Sequence, residues 1–241
     1  MTGLGTRVAV YESCGEAVAM ADWLPGDRPE PPRPGGGGGW REDQGSEDRQ
    51  AEGARRAATK LRRFAVHNRC TRLMTLTRAD QTHDPGRMLA DLAAFERRLR
   101  ERWPTIAWCR ALERHKSGAI HAHYAINQRL EHAEVAARWP HGFVWLSPKT
   151  RSRQGGREDA RLTARYVAKY VLKDPVRAGV GGHRYEVRQG FQPSQRVVWL
   201  DCAPDEAMTR VLDSLGETPR YTWASGGDPE WTGPPVIFSS W

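Results

Sequence analysis

The tripeptide His121-Ala122-His123 sets two imidazoles two residues apart, and inside a β-strand such side chains share a face. Within AIHAHYAIN (119–127), His121 and His123 point one way while Ala122, Tyr124 and Ile126 point the other. The run TIAWCRALE (105–113) precedes it, joined through RHKSG, a short glycine-containing turn, so the two runs read as a hairpin. A turn centred on Ser117 puts Glu113 opposite His121, and one centred on Gly118 puts it opposite His123. In either register the carboxylate lies on the imidazole face. An HxH tripeptide alone often marks two solvated rings, but two imidazoles and an acid with open positions suit a divalent ion, Mg²⁺ or Mn²⁺, that can also hold substrate oxygens. His121, His123 and Glu113 are therefore the candidate metal ligands.

A second group lies on a helix predicted over Glu158 to Lys173 and stopped by Asp174-Pro175. At about 100° per residue, Ala164, Val167, Ala168 and Val171 form its apolar face. Tyr166 and Tyr170, four apart, fall on the opposite side with Lys169 and Lys173. A helical tyrosine ordinarily packs half-buried. Two that avoid the apolar face and sit among lysines are better placed to meet phosphate.

LMTLT (73–77), GAIHAHYAI (118–126) and YVAKYVLK (166–173), in that order, resemble the three motifs of the HUH endonucleases. Within that superfamily the chain is similar to the two-tyrosine rolling-circle replication initiators of microviruses and actinobacterial plasmids. The resemblance covers roughly residues 55–200, including HRYEVRQGFQP. Each motif alone is weak; three in order at the right spacing are strong.

The resemblance implies that His121 and His123 are the metal-binding pair, with Glu113 where many members place a third ligand. Tyr166 and Tyr170 match the paired nucleophiles, and Lys169 matches a lysine that positions or neutralises phosphate. Thr75 and Thr77 occupy polar positions that line the site in relatives. The implied fold is α+β and ferredoxin- or RRM-like, an antiparallel sheet of about five strands with helices packed on it. The implied activity is nicking of single-stranded or hairpin origin DNA through a 5′-phosphotyrosine intermediate, followed by rejoining, in support of rolling-circle replication. A two-tyrosine transposase would use the same chemistry. A conjugative relaxase is disfavoured, because its tyrosine commonly precedes the histidines. A non-catalytic DNA-binding regulator would share the fold, but all five polar residues expected of a catalyst are present.

The elements that must position these residues are readable in outline. AEGARRAATKLRRFAV (51–66) reads as a basic helix, RLMTLT (72–77) as a strand, and Met88 to Arg102 as a helix closed by Pro104. Trp139 to Leu146 reads as a strand or strand edge, and Tyr185 to Val187 with Arg196 to Leu200 as the last strands. Helices alternating with hairpin-linked strands indicate an α+β domain. Residues 51–200 carry 30 Lys/Arg against 13 Asp/Glu, whereas the flanking segments are acidic and the whole chain is +8. So basic a segment gathers phosphates in a salt-dependent way. Arg62 and Arg63 on the basic helix, Arg151 and Arg153 in the RSRQGGR loop, and Lys173 are the candidate backbone contacts. Trp108, Trp145 and Trp199 are candidate base-stacking platforms, although most such rings pack in cores.

The proline-, glycine- and acid-rich stretch 25–53 predicts a linker. The expected organisation is a disordered or weakly structured acidic region at 1–53, the endonuclease domain at 54–200 and an acidic extension at 201–241. Cys14, Cys70, Cys109 and Cys202 have no metal-ligand spacing and are expected to be reduced. No apolar run is long enough to cross a membrane and no signal peptide is evident, so a cytoplasmic location is expected. Without a Walker motif, GxxxxGK[ST], the chain has no motor of its own, which implies a host helicase as partner.

Overall fold

The computed structural model describes residues 4–26, 44–147, 156–173 and 185–241. In chain order the strands are β1 (Leu4–Tyr11), β2 (Glu16–Trp23), β3 (Arg72–Arg78), β4 (Trp108–Arg114), β5 (Ile120–Ile126), β6 (Gly142–Leu146), β7 (Tyr185–Val187), β8 (Arg196–Leu200), β9 (Tyr221–Ala224) and β10 (Val236–Ser240). The α-helices are α1 (Gln44–His67), α2 (Pro85–Arg102), α3 (His132–Ala136), α4 (Arg157–Lys173) and α5 (Pro204–Leu215). They form two units, one made of residues 1–39 and 193–241, the other of residues 40–192. Each unit has its own five-stranded antiparallel sheet, so the chain is α+β.

The contiguous unit carries all the residues singled out above except Trp199. Its sheet runs β6-β3-β5-β4-β7. Period-2 alternation divides the central strands between two faces. Met74, Leu76, Trp108, Ala122, Tyr124 and Ile126 meet Met88, Leu92, Phe95 and Leu99 of α2, with Val135 and Trp139 from α3 and its end. The α2 residues recur at helical spacing and each is fully buried, a contribution of roughly 1.5–3 kcal/mol apiece. The helix starts where Asp84 accepts hydrogen bonds from the N–H groups of Gly86 and Arg87, with Pro85 in the first turn. On the other face Leu61, Phe64 and Ala65 of α1 and Ala164, Val167 and Val171 of α4 cover Cys109, Ala111 and Ala125.

The β4–β5 turn closes with the His115 N–H donating to the Ala119 carbonyl. Gly118 adopts φ +90°, where a side chain would be strained and a Cβ would lie 3.0 Å from the His83 ring. Strand β6 opens at Gly142, where a Cβ would come within 2.3 Å of the Ala79 nitrogen. Trp139, expected in this strand, instead lies buried beyond the end of α3.

The other unit corrects the expected organisation at both ends. Residues 4–23, expected to be weakly structured, form the β1–β2 hairpin, and residues 201–241 supply α5, β9 and β10 rather than a loose acidic tail. Its sheet runs β8-β1-β2-β10-β9. The expected last strand of the endonuclease domain, β8, pairs here with β1. Val8, Val10, Ala17 and Ala19 on one face of this sheet cluster with Ala207, Met208, Val211 and Leu212 of α5. The acidic residues that suggested tails occupy the remaining, exposed side of that helix: Asp205, Glu206 and Asp213. The expected linker falls in residues 27–43, outside the described residues. No described helix is long and apolar enough to cross a membrane. All four cysteines are free thiols, and all but Cys202 are buried.

Candidate active site

Five residues of the β3–β5–β4 ribbon meet on the sheet face that α4 borders. The register is Glu113 opposite His121 and Ala111 opposite His123, the arrangement in which Ser117 centres the turn. On the neighbouring strand Thr75 stands opposite His123 and Thr77 opposite His121. A buried network on the reverse face holds this register. The Tyr124 hydroxyl and the Arg110 Nε both donate to Glu96 Oε1 at 2.9 Å. Burial pushes the Glu96 carboxyl above its ordinary range, while Arg110 and Tyr124 pull it back down. A slip of one residue would move Arg110 and Tyr124 to the wrong side of the sheet and leave Glu96 buried without partners.

On the site face each imidazole is held by a threonine. Thr75 Oγ1 lies 3.1 Å from His123 Nδ1, and Thr77 Oγ1 lies 3.2 Å from His121 Nδ1. Both threonines, expected to line the site and meet DNA, direct their hydroxyls at the rings. Glu113 reaches diagonally across the pair, bringing Oε2 to 3.0 Å from His123 Nε2. Burial lowers the pKa of His123 to about 4, outweighing the opposing pull of Glu113. It lowers that of His121 as well, with a further push from His115. At neutral pH both rings are neutral, the form in which imidazole binds a cation.

Tyr170 of α4 lies parallel on the His123 ring, centroids 3.9 Å apart and planes within 4°. Tyr166 meets the same imidazole edge-on at 6.2 Å and Tyr170 edge-on at 5.5 Å. Lys169 Nζ sits over both phenol rings, 4.1 Å from Tyr166 and 4.6 Å from Tyr170. The two tyrosines are not equivalent, contrary to the expectation that both avoid the apolar side. Tyr170 is 7% exposed and belongs to the core cluster, whereas Tyr166 is 38% exposed. Tyr170 packs because its ring has the flat His123 imidazole to lie on. Burial raises the Tyr170 pKa well above the ordinary phenol value, and its hydrogen bond to Tyr166 raises it further.

The donor set suits a divalent cation in part. A separation of 3.0 Å between Nε2 of His123 and Oε2 of Glu113 matches the edge of an octahedron with bonds of about 2.1 Å. In this arrangement the His123 Nε2–H donates to Glu113 and Nδ1 accepts from Thr75. A cation on Nε2 needs the other tautomer, which Thr75 can serve because a hydroxyl also accepts. Among the described residues no three His, Cys, Asp or Glu side chains already converge on one point, so the third ligand has to move into place.

The remaining sites are scattered. Arg62 and Arg63 are half-buried on α1, and Arg151 and Arg153 lie outside the described residues, as does the Lys173 side chain. Trp108 is buried in the α2-side core, and Trp199 lies on β8 in the other unit. Trp145 is 51% exposed on the edge strand β6. The sequence reading missed His115, whose ring lies 5.5 Å from that of His121. It sits in the hairpin turn, and the period-2 pattern that exposed the other histidines does not extend to it. Phe143 was also missed, for want of any motif around it.

No curated protein and no solved structure matches the chain. Residues 71–175, less than half of the chain but the part running from β3 through α4, match the family model of the replication-associated protein ORF2. The segment that builds this site is thus similar to proteins associated with replication.

Proposed function

We propose that the chain is a replication initiator that cleaves single-stranded or hairpin origin DNA with a tyrosine nucleophile and later rejoins the strand. The observation that carries this reading is the convergence of Tyr166, Tyr170 and Lys169 on the His123–Glu113 pair. Tyr166 attacks first, since its phenol is the accessible one. Its oxygen bonds to the scissile phosphorus, the bond to the 3′-oxygen breaks, and the strand leaves with a 3′-hydroxyl while its 5′-phosphate stays on the tyrosine. A phenol is mostly protonated at neutral pH and needs positive charge nearby to surrender its proton. Lys169 supplies that charge over the ring.

His121, His123 and Glu113 would hold a divalent ion, Mg²⁺ or Mn²⁺, which when bound polarises the non-bridging oxygens of the phosphate. Thr75 and Thr77 fix the imidazole rings for that task. Tyr170, one helical turn from Tyr166, is placed to take the strand over in a second attack after synthesis. Arg62, Arg63, Lys173, Arg151 and Arg153 would neutralise flanking phosphates. A chain without a Walker motif relies on a host helicase for unwinding, and the cytoplasm is where such a partner and substrate meet.

Incubation with origin-like oligonucleotides and Mn²⁺ tests the reading. Wild type and Tyr170→Phe should form a denaturation-resistant protein–DNA adduct, Tyr166→Phe should lose it, and chelation should abolish it. Absence of any adduct from wild type refutes the nuclease reading; an adduct in Tyr166→Phe but not in Tyr170→Phe reverses the order of attack.

A further inference from the structure

We propose that Phe143 and Trp145 form a stacking platform for two unpaired nucleobases of the DNA strand, beside the phosphate held at the histidines. The proposal rests on the single-stranded DNA reading above and adds a subsite to it. The two rings alternate along β6 with Val144 and Leu146, which turn to the α2-side core. They are therefore not core residues out of register; the strand presents them on its other face. That face is the site face. Trp145 pairs with Thr75, which pairs with His123, and Phe143 pairs with Thr77, which pairs with His121. Two strand spacings, about 10 Å, separate the aromatic positions from the histidine positions. That span is within reach of the bases flanking a phosphate at the histidines.

Phe143 is 71% exposed and Trp145 51% exposed, and among the described residues neither ring stacks on another aromatic side chain. Edge strands are usually protected by charged residues, proline or bulges. This one instead shows two large apolar surfaces to solvent, a poor arrangement unless something flat covers them. Nucleobases fit that description: their π-faces stack on phenylalanine and tryptophan with little regard to sequence. The excess of Lys and Arg in residues 51–200 attracts the attached phosphates, a complementarity that an apolar protein partner would not share.

Equilibrium binding of fluorescent oligothymidylate and of a matched duplex, read by anisotropy, tests the platform. Phe143→Ala and Trp145→Ala should each weaken oligothymidylate binding by roughly fivefold to a hundredfold and leave duplex binding unchanged. Trp145→Phe should restore most of the loss, because a flat ring returns. An abasic residue at the stacked positions should weaken binding to wild type and have no further effect on the double variant. Unchanged oligothymidylate affinity in the double variant, or an equal loss on duplex, overturns the proposal. Both surface substitutions spare the core, so a folding defect, checked by circular dichroism, is not expected. The readout is independent of cleavage: binding that depends on the rings without any covalent adduct would sink the nuclease reading and keep the platform.

Discussion

Replacing Thr75 by valine removes one hydroxyl and keeps the branched shape that suits a strand. Thr75 Oγ1 lies 3.1 Å from His123 Nδ1, and His123 is only 6% exposed, so water does not readily replace the lost partner. A buried polar atom left unsatisfied costs about 1–3 kcal/mol, and the apo protein should lose stability of that order in urea unfolding. The larger effect falls on the ring's orientation. Without the threonine, the imidazole can rotate about its terminal torsion and Nε2 is no longer fixed beside Glu113. Partners of this kind are worth roughly 10- to 100-fold in metal affinity. Mn²⁺ titration by calorimetry should therefore show Thr75→Val binding weaker by about that factor, and Thr75→Ser, which restores the oxygen, recovering most of it. Unchanged Mn²⁺ affinity in the valine variant, or a serine variant as weak as the valine one, would refute the idea that the threonine holds the imidazole for a cation.

Acid should unfold the site unit through its buried histidines. His123 titrates near 4 when folded and near 6.5 when unfolded, so between those values the unfolded chain holds more protons. Stability from this group is complete above about pH 6.5 and is lost as pH falls toward 4, a change of roughly 3 kcal/mol, and His121 acts in the same direction. Unfolding midpoints measured across that range without metal should fall for wild type and flatten in His123→Gln; identical slopes would remove the basis of the argument. On the reverse face, Arg110→Met strands Glu96 as a buried carboxylate with only Tyr124 left as partner, at a cost of about 3–5 kcal/mol. Adding Glu96→Leu should recover much of that loss, and a double variant no more stable than the single one would contradict it. Chelation of a metal-loaded sample should lower its melting temperature, because an ion that binds only the folded chain stabilises it by mass action.

Much of the site was legible because its geometry is local. The HxH pattern, the short turn and the period of two put His121, His123 and Glu113 on one face, and the strands did form with the Ser117-centred register. The helix from Arg157 was equally plain from its apolar stripe. Tyr170 was misjudged because a helical wheel shows which side a residue faces and not what waits there; a flat imidazole turned an apparently polar position into a buried one. The N-terminal hairpin was unreadable for a different reason. β1 and β2 find their outer partners in β8 and β10, far along the chain, and pairing at that distance leaves no mark on the neighbouring residues. The α5 segment did carry local signals, Pro204 at its start and Gly216 in the left-handed region at its end, but its acidic content drew attention away from them.

The interleaving of the two units has a consequence for biosynthesis. Glu16–Met20 must wait for Val236–Ser240 before β2 gains its outer neighbour, and the entire nucleic-acid-facing unit is translated between them. At ordinary ribosomal speeds that interval is on the order of ten to forty seconds. Throughout it a newly made hairpin has an edge with no strand beside it, open to a wrong partner or a chaperone, while the inserted unit is free to fold from its own contiguous residues.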